Sequence, residues 1–321
     1  SRRSASQFRR GSSSSGGYRP STPARRGPKK DYIDPSRFVK VAQPVEAEAY
    51  MAQYAFSDFE INPLLKANLS AKGYVTPSVI QDKTIPHGLA GRDIIGIADT
   101  GTGKTAAFAV PVLQAAMLRD ARALIIAPTR ELAQQIDVEF QSIARGSNLR
   151  GAVLIGGAGM GQQLRELRAH PNVVIGTPGR IKDHLERGTL RLDQTNLVVL
   201  DEVDRMLDMG FVNDVRHILG QLNPVRQSFF FSATLDAKVN ALIETFSSDP
   251  ITISVKTGDT GENIHQDVVR VGHGDKIDKL HDLLIGGDIK KAIIFDDTQR
   301  SVERLSNELV ARGFKADAIH G

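Results

Sequence analysis

Two short segments carry residue types that suit one reaction. Residues 99–105 run Asp-Thr-Gly-Thr-Gly-Lys-Thr, and residues 201–204 run Asp-Glu-Val-Asp. The first fits the phosphate-loop pattern G-x-x-x-x-G-K-[ST], with Ala98 where the first Gly would stand. Gly101 and Gly103 have no Cβ, so backbone N–H groups of the stretch Thr100, Gly101, Thr102 and Gly103 can close on phosphate oxygens. Lys104 can then reach the outer phosphates, and the Thr105 hydroxyl can ligate Mg²⁺. Asp201 and Glu202 follow the apolar run Leu197–Leu200. One carboxylate is needed for the metal, and a second to orient or deprotonate a water. The pair of segments implies hydrolysis of a nucleoside triphosphate.

These residues must be held by a scaffold, and the pattern around them says which. From residue 93 onward, continuous apolar runs alternate with helical stretches. Strands are expected at Asp93–Ala98, Ala123–Ala127, Ala152–Ile155, Val173–Ile175, Leu197–Leu200 and Ser228–Phe231, with helices from Lys104 and over Arg130–Ala144. Apolar runs without polar alternation, separated by helices, predict an α/β fold. Its parallel sheet is buried and covered by helices on both faces. The chemical segments fall just after strands, where ligands bind in such sheets. This first domain is expected over residues 54–252, with a linker at 253–263 centred on Thr257-Gly258-Asp259-Thr260-Gly261. A second α/β pattern occupies 264–321: strands Val268–Val271 and Ala292–Phe295, helices Lys276–Leu284 and Ser301–Arg312. About 57 residues are few for a domain of this kind, so the sequence reads as a piece ending inside its second domain.

Residues 1–31 differ from the rest. Of 41 Lys and Arg and 37 Asp and Glu, nine basic and no acidic residues fall in 1–30, leaving 32 basic against 37 acidic beyond it. The tail therefore supplies all of the net +4. Half of it is Ser, Gly and Pro, a composition that buries too little apolar surface to offset ordering, so disorder is expected. It is a solubilising segment or an electrostatic arm for RNA, with Phe8 and Tyr18 available to stack on bases. It lacks the apolar centre of a secretory signal, although its composition also suits a transit peptide. No run of about 18 apolar residues is present, and the absence of cysteine excludes disulfides and cysteine–zinc sites.

The motifs in their order resemble a DEAD-box ATP-dependent RNA helicase of superfamily 2, from about Phe56 to Gly321. The resemblance implies a RecA-like P-loop domain, a partial second RecA-like domain, and ATP with Mg²⁺ as ligands. Gly73-Tyr74-Val75-Thr76-Pro77-Ser78-Val79-Ile80-Gln81 is similar to the family's adenine-reading segment, with Phe56 as the upstream aromatic. A Gln amide can meet adenine N6 and N7 together, and an aromatic ring can stack on the base. Asp201-Glu202-Val203-Asp204 stands at the name-giving motif, with Val203 in place of the usual Ala. The resemblance implies that Asp201 holds Mg²⁺, that Glu202 activates water, and that Asp204 couples to Ser232-Ala233-Thr234. Lys104 would serve catalysis as well as binding. Pro128, Thr129 and Arg130, then Gly156-Gly157, then Thr177, Gly179 and Arg180 are similar to RNA-facing segments. Helix starts, glycine N–H groups and arginines suit phosphates and 2′-hydroxyls, contacts that carry little base information.

Three readings follow. The first is an RNA-stimulated ATPase that separates short duplexes locally. The second is an ATP-gated RNA clamp with little unwinding. The third, a DNA helicase, is weakened by the adenine-reading segment. The segments that carry the family's arginine finger are not in this sequence, so the 321 residues are expected to bind ATP but to hydrolyse it slowly. A cytoplasmic location is expected, or a nuclear one in a eukaryote.

Overall fold

Strands whose every side chain is apolar must be covered on both faces, and this chain meets that demand with two separate cores. The computed structural model describes residues 50–119, 121–255, 265–272, 275–287 and 289–320, which separate into two compact units at 50–255 and 265–320.

In the first unit seven strands form one sheet: β1 (Ile94–Ala98), β2 (Ala123–Ile126), β3 (Gly151–Leu154), β4 (Val173–Gly176), β5 (Leu197–Leu200), β6 (Gln227–Ser232) and β7 (Ile251–Val255). All neighbours are parallel, in the order β3-β4-β2-β5-β6-β1-β7. Alternate residues serve opposite faces. Ile125, Val199, Phe229 and Phe231 enter one core, while Leu124, Val198, Leu200 and Phe230 enter the other. The first core is closed by α1 (Pro63–Ala71), α2 (Val79–Leu89), α3 (Lys104–Arg119) and α4 (Arg130–Ile143). The second is closed by α5 (Met160–Arg168), α6 (Pro178–Glu186), α7 (Val203–Asp208), α8 (Val212–Gly220) and α9 (Ala237–Phe246). The apolar positions of α4, at Ala133, Ile136, Phe140 and Ile143, recur at helical spacing and are all buried.

Because every strand runs the same way, all their C-terminal ends reach one edge. The order then sorts the connecting loops. The loops after β5, β6 and β1 are adjacent, and so are those after β3, β4 and β2. At the opposite edge Asp93 ties the sheet together. Its Oδ1 accepts from Ser228 N at 2.7 Å and its Oδ2 from Ser248 N at 2.9 Å.

Two expectations need correction. Residues 253–255 belong to no linker: β7 pairs with β1 from Ile251 to Val255, so the first unit extends past 252. Ile251, Ile253 and Val255 alternate with Thr252 and Ser254, the signature of an edge strand with one polar face. In the second unit, α10 (Lys276–Gly286) and α11 (Gln299–Ala311) form as expected, but 268–271 and 292–295 are not strands. A strand exists only through its ladder, and no described segment of 265–320 supplies one. Ile293 and Phe295 stay 84% and 90% exposed. The expected tail at 1–31 and the linker centre at 256–263 lie outside the described residues. Among the described residues no helix is long and apolar enough to cross a membrane.

Candidate functional site

The loop after β1 is built around its own backbone. Gly103 has φ +94°, and a Cβ there would collide with Gln81 Nε2, so only glycine fits. Gln81 is buried at the start of α2, where it completes a capping box with Ser78. Its Oε1 accepts from Ser78 N at 2.9 Å, and its Nε2 donates to Gly103 O at 3.0 Å. Ser78 Oγ adds a bond to Thr102 O at 2.7 Å, and Thr102 Oγ1 donates to Asp99 O at 2.8 Å. The adenine-type segment and the phosphate-type loop thus form one hydrogen-bonded piece. Thr100 and Gly101 are exposed at its tip, and Thr105 is half-buried on the first turn of α3. Lys104 is buried, and its ammonium donates to Ala98 O at 2.9 Å.

Across β6 from the β1 loop, β5 delivers Asp201 and Glu202. Asp201 is buried, which pushes its carboxyl up to about 6 against the opposing pull of the Lys104 ammonium; the Glu202 charge adds to the rise. A buried carboxylate facing a lysine and a glycine cradle is a fit for a divalent cation, which would restore the ionised form. Mg²⁺ takes one or two carboxylates and completes its shell with phosphates and water, so Asp201 with the Thr105 hydroxyl is an adequate protein share. Glu202 stands in the left-handed region, φ 53° and ψ 56°, a conformation costing a non-glycine residue about 1–2 kcal/mol. Its Oε2 pairs with Arg205 at 3.0 Å. Strain of this kind collects where a side chain must point in one direction. Val203 is fully buried in the second core.

Asp204 reaches across to the end of β6. Its Oδ2 accepts from Ala233 N at 3.1 Å, Thr234 N at 2.9 Å and Thr234 Oγ1 at 3.0 Å, and its own N–H donates to Ser232 Oγ at 3.3 Å. Burial raises its carboxyl, but bonds from Arg205, Thr234 and Ser232 outweigh that and hold it below the usual range.

Phe56 is corrected. It is buried in the first core with its ring edge-on to Phe59 and Tyr74, centroids 5.6 and 5.1 Å apart. A ring so placed cannot stack on a base without leaving the core, so it supports Tyr74 instead. Tyr74 is half-buried, and its hydroxyl donates to Glu139 Oε1 at 2.9 Å. Burial, then Glu139, pushes that phenol up to about 12. One neighbour escaped the sequence reading. Buried Asp82 accepts from Tyr50 Oη, Gln53 N and Tyr54 N at 2.6, 2.8 and 3.1 Å, fastening residues 50–54 to α2 beside Gln81. An Asp next to a Gln gives no signal of this.

The loops after β2, β3 and β4 line a second cleft, open and about 500 Å³, formed by Pro128, Thr129, Arg130, Glu131, Gly156, Thr177, Gly179, Arg180 and Asp183 with Met209 and Phe211. Thr129 caps α4 by accepting from Leu132 N at 3.2 Å, and Thr177 stands at the N-cap of α6. Gly157 has φ +80°, and a Cβ there would strike the Arg130 guanidinium, so the glycine pair makes room for that cation. Among the described residues Arg130 forms no ion pair. Apolar Met209 and Phe211 were not foreseen at this cleft.

A family model described as DEAD/DEAH box helicase matches residues 78–242. The chain is 39% identical over 269 residues to the DEAD-box ATP-dependent RNA helicase CshA of Bacillus subtilis (strain 168), covering 83% of this chain and 54% of that protein. It is 41% identical over 269 residues to the ATP-dependent RNA helicase CshA of Listeria monocytogenes, covering 83% and 52%. The chain therefore spans about half the length of the curated relatives it matches. Among solved structures, a DEAD box protein from the hyperthermophile Methanococcus jannaschii matches with TM-score 0.59 and 35% identity, over 83% of this chain and 73% of that one.

Proposed function

The chain belongs to the DEAD/DEAH box helicase family, and from that premise we propose that it is the ATP- and RNA-binding part of an ATP-dependent RNA helicase. In this reading RNA-stimulated ATP hydrolysis drives local duplex separation or the remodelling of RNA–protein complexes.

The observation that carries the reading is the adjacency of three strand ends. β1 presents Lys104 and Thr105, β5 presents Asp201 and Glu202, and β6, lying between them, presents Ser232 and Thr234, tied to the carboxylate pair by Asp204. In the proposed cycle the Gly101–Gly103 N–H groups receive the phosphates. Lys104 leaves Ala98 O for the outer phosphates. Gln81 offers its remaining lone pair and N–H to adenine. Asp201 and Thr105 would hold Mg²⁺, which would supply positive charge to offset that of the phosphates. Glu202 orients the attacking water and accepts its proton. Asp204 transmits the state of this site to the 232–234 loop. The second cleft receives the RNA backbone through Thr129, Arg130, Gly157, Thr177 and Arg180, without base readout.

The test is ATP turnover by the chain with single-stranded RNA, with matched DNA, and with neither. Stimulation by RNA alone supports the proposal, and equal stimulation by DNA contradicts its choice of substrate. Release of a strand from a short RNA duplex on ATP addition separates a helicase from an ATP-gated clamp.

A further inference from the structure

The arginine of the α6 start is held by a buried network on which the proposed chemistry makes no demand. Gln163, on α5, is 1% exposed. Its Nε2 donates to Ile155 O at 3.0 Å, at the end of β3, and more weakly to Ala158 O at 3.5 Å. That fixes the amide's orientation, so Oε1 is the acceptor. Two donors converge on it: Arg180 Nη1 at 3.2 Å and His184 Nε2 at 3.0 Å. Nε2 of His184 therefore carries a hydrogen, and Nδ1 lies 2.9 Å from the Thr189 hydroxyl, which also reaches His184 O at 3.1 Å. Burial, then the nearby Arg180, lowers the imidazole's proton affinity, consistent with a neutral ring. Every donor and acceptor of the Gln163 amide is used, as a buried polar group requires.

What this network does to Arg180 is specific. A buried arginine is usually fixed by a carboxylate, which also cancels its charge. Here the nearest carboxylate, Asp183, is engaged by Arg187 at 2.5 Å and stands 3.9 Å from Arg180 Nε. Arg180 is instead tethered by neutral oxygens, Gln163 Oε1 and Ala158 O, the latter at 3.4 Å. Its position is set at the rim of the second cleft, and the Asp183 carboxylate, shared with Arg187, offsets its charge only in part. The same amide grips the loop carrying Gly156 and Gly157. One buried side chain thus connects two loops of that cleft.

We propose that Gln163 is the positioning residue of the second cleft: anchored on the loop after β3, it aims the Arg180 guanidinium at an RNA phosphate. The inference rests on the RNA reading of this cleft. It assigns Gln163 no contact with RNA, so its effect must pass through Arg180.

The experiment is an affinity titration of the full chain with a short fluorescent oligouridine, using Arg180→Ala, Gln163→Met, the double variant and Gln163→Glu. Thermal midpoint and affinity for a non-hydrolysable ATP analogue are followed alongside. Arg180→Ala is expected to weaken RNA binding roughly tenfold, as loss of a charged contact should. Gln163→Met approaches that loss with ATP-analogue affinity unchanged, and the double variant is no weaker than Arg180→Ala alone. Gln163→Glu keeps both acceptor contacts but loses the donor to Ile155 O and sets a carboxylate against Arg180, so RNA binding is expected to fall toward the Arg180→Ala level. An effect of Arg180→Ala with none from Gln163→Met overturns the inference while leaving the RNA reading intact, and additive losses in the double variant do the same. If Gln163→Met does not fold, Gln163→Glu decides: RNA affinity within about twofold of the unmodified chain refutes the positioning role. No effect from Arg180→Ala itself removes the RNA reading and the inference with it.

Discussion

Strands β5, β6 and β1 end on the same edge of the sheet as β3, β4 and β2, but the loops that follow them are finished differently. After β5, β6 and β1 the polar groups are engaged with one another. Lys104 caps Ala98 O, Gln81 bonds Gly103 O, Asp204 takes three donors, and Asp201 is buried deeply enough to raise its carboxyl to about 6. After β3, β4 and β2 the cations are left without such closure. Arg130 forms no ion pair among the described residues, and Arg180 is steadied by neutral oxygens beside a long ion pair with Asp183. The difference matches two kinds of ligand. A compact triphosphate with its metal demands a few groups in fixed places, so preorganisation and backbone strain are worth their cost. A polymer backbone demands spaced positive charge on an open surface, where counterion release supplies much of the affinity.

If that division is real, substitutions on one half should spare the other. The largest effect is expected for Glu202→Gln. Single-turnover hydrolysis with RNA present should fall by about 10²–10⁴-fold relative to the unmodified chain, because the amide cannot accept the water's proton. Titration of an ATP analogue should meanwhile show affinity close to the original. Lys104→Ala comes next: calorimetry should find Mg·ATP bound roughly 10–100-fold more weakly, with RNA binding in the absence of nucleotide unaltered. A change in the latter would show that the two halves are not separate. Gln81 predicts a preference for ATP over GTP of roughly tenfold in a competition titration, since guanine places O6 where adenine has N6–H₂. Equal competition by GTP would leave Gln81 with a structural tie alone. On the other half, Arg130→Ala should weaken RNA binding several-fold and lower the salt slope by about 1, with ATP-analogue affinity intact.

The smallest effect sharpens the link between the halves of the site at β5 and β6. Asp204→Asn should lower stability by about 1–2 kcal/mol at neutral pH, through weaker hydrogen bonds to Ala233 and Thr234. Asp204's folded-state carboxyl lies below its ordinary value of 3.8. Its contribution is therefore complete above that value and is lost as pH falls through the lower folded-state value. Denaturant titrations of the two proteins should converge in that acid window, and a gap that persists there would mean the carboxylate's charge is not what matters.

The two halves were also unequally legible. The phosphate loop and Asp201-Glu202 could be located from residue type and spacing because their chemistry allows few substitutes. The apolar runs located β1 to β6 because a sheet covered on both faces is filled mostly by apolar side chains. β7 was hidden by Thr252 and Ser254, whose exposed face imitates a loop. Runs 268–271 and 292–295 carried a strand-like composition, but composition cannot supply the ladder partner. Phe56 shows the reverse error, since an aromatic at the right spacing was given a ligand when it has a core. Gln163 and His184 were illegible altogether. A lone Gln and a lone His on helices resemble surface residues until the fold brings α5 and α6 side by side.

The most direct test of the division is hydrogen exchange on the full chain with Mg·ATP analogue alone and with oligouridine alone. The account predicts that nucleotide slows exchange at 99–105 and around 201–204. RNA should slow it at 128–132, 156–158 and 177–180 and leave the first set unchanged. Protection of 99–105 by RNA alone, or RNA protection that bypasses all three loops of the second cleft, would contradict it.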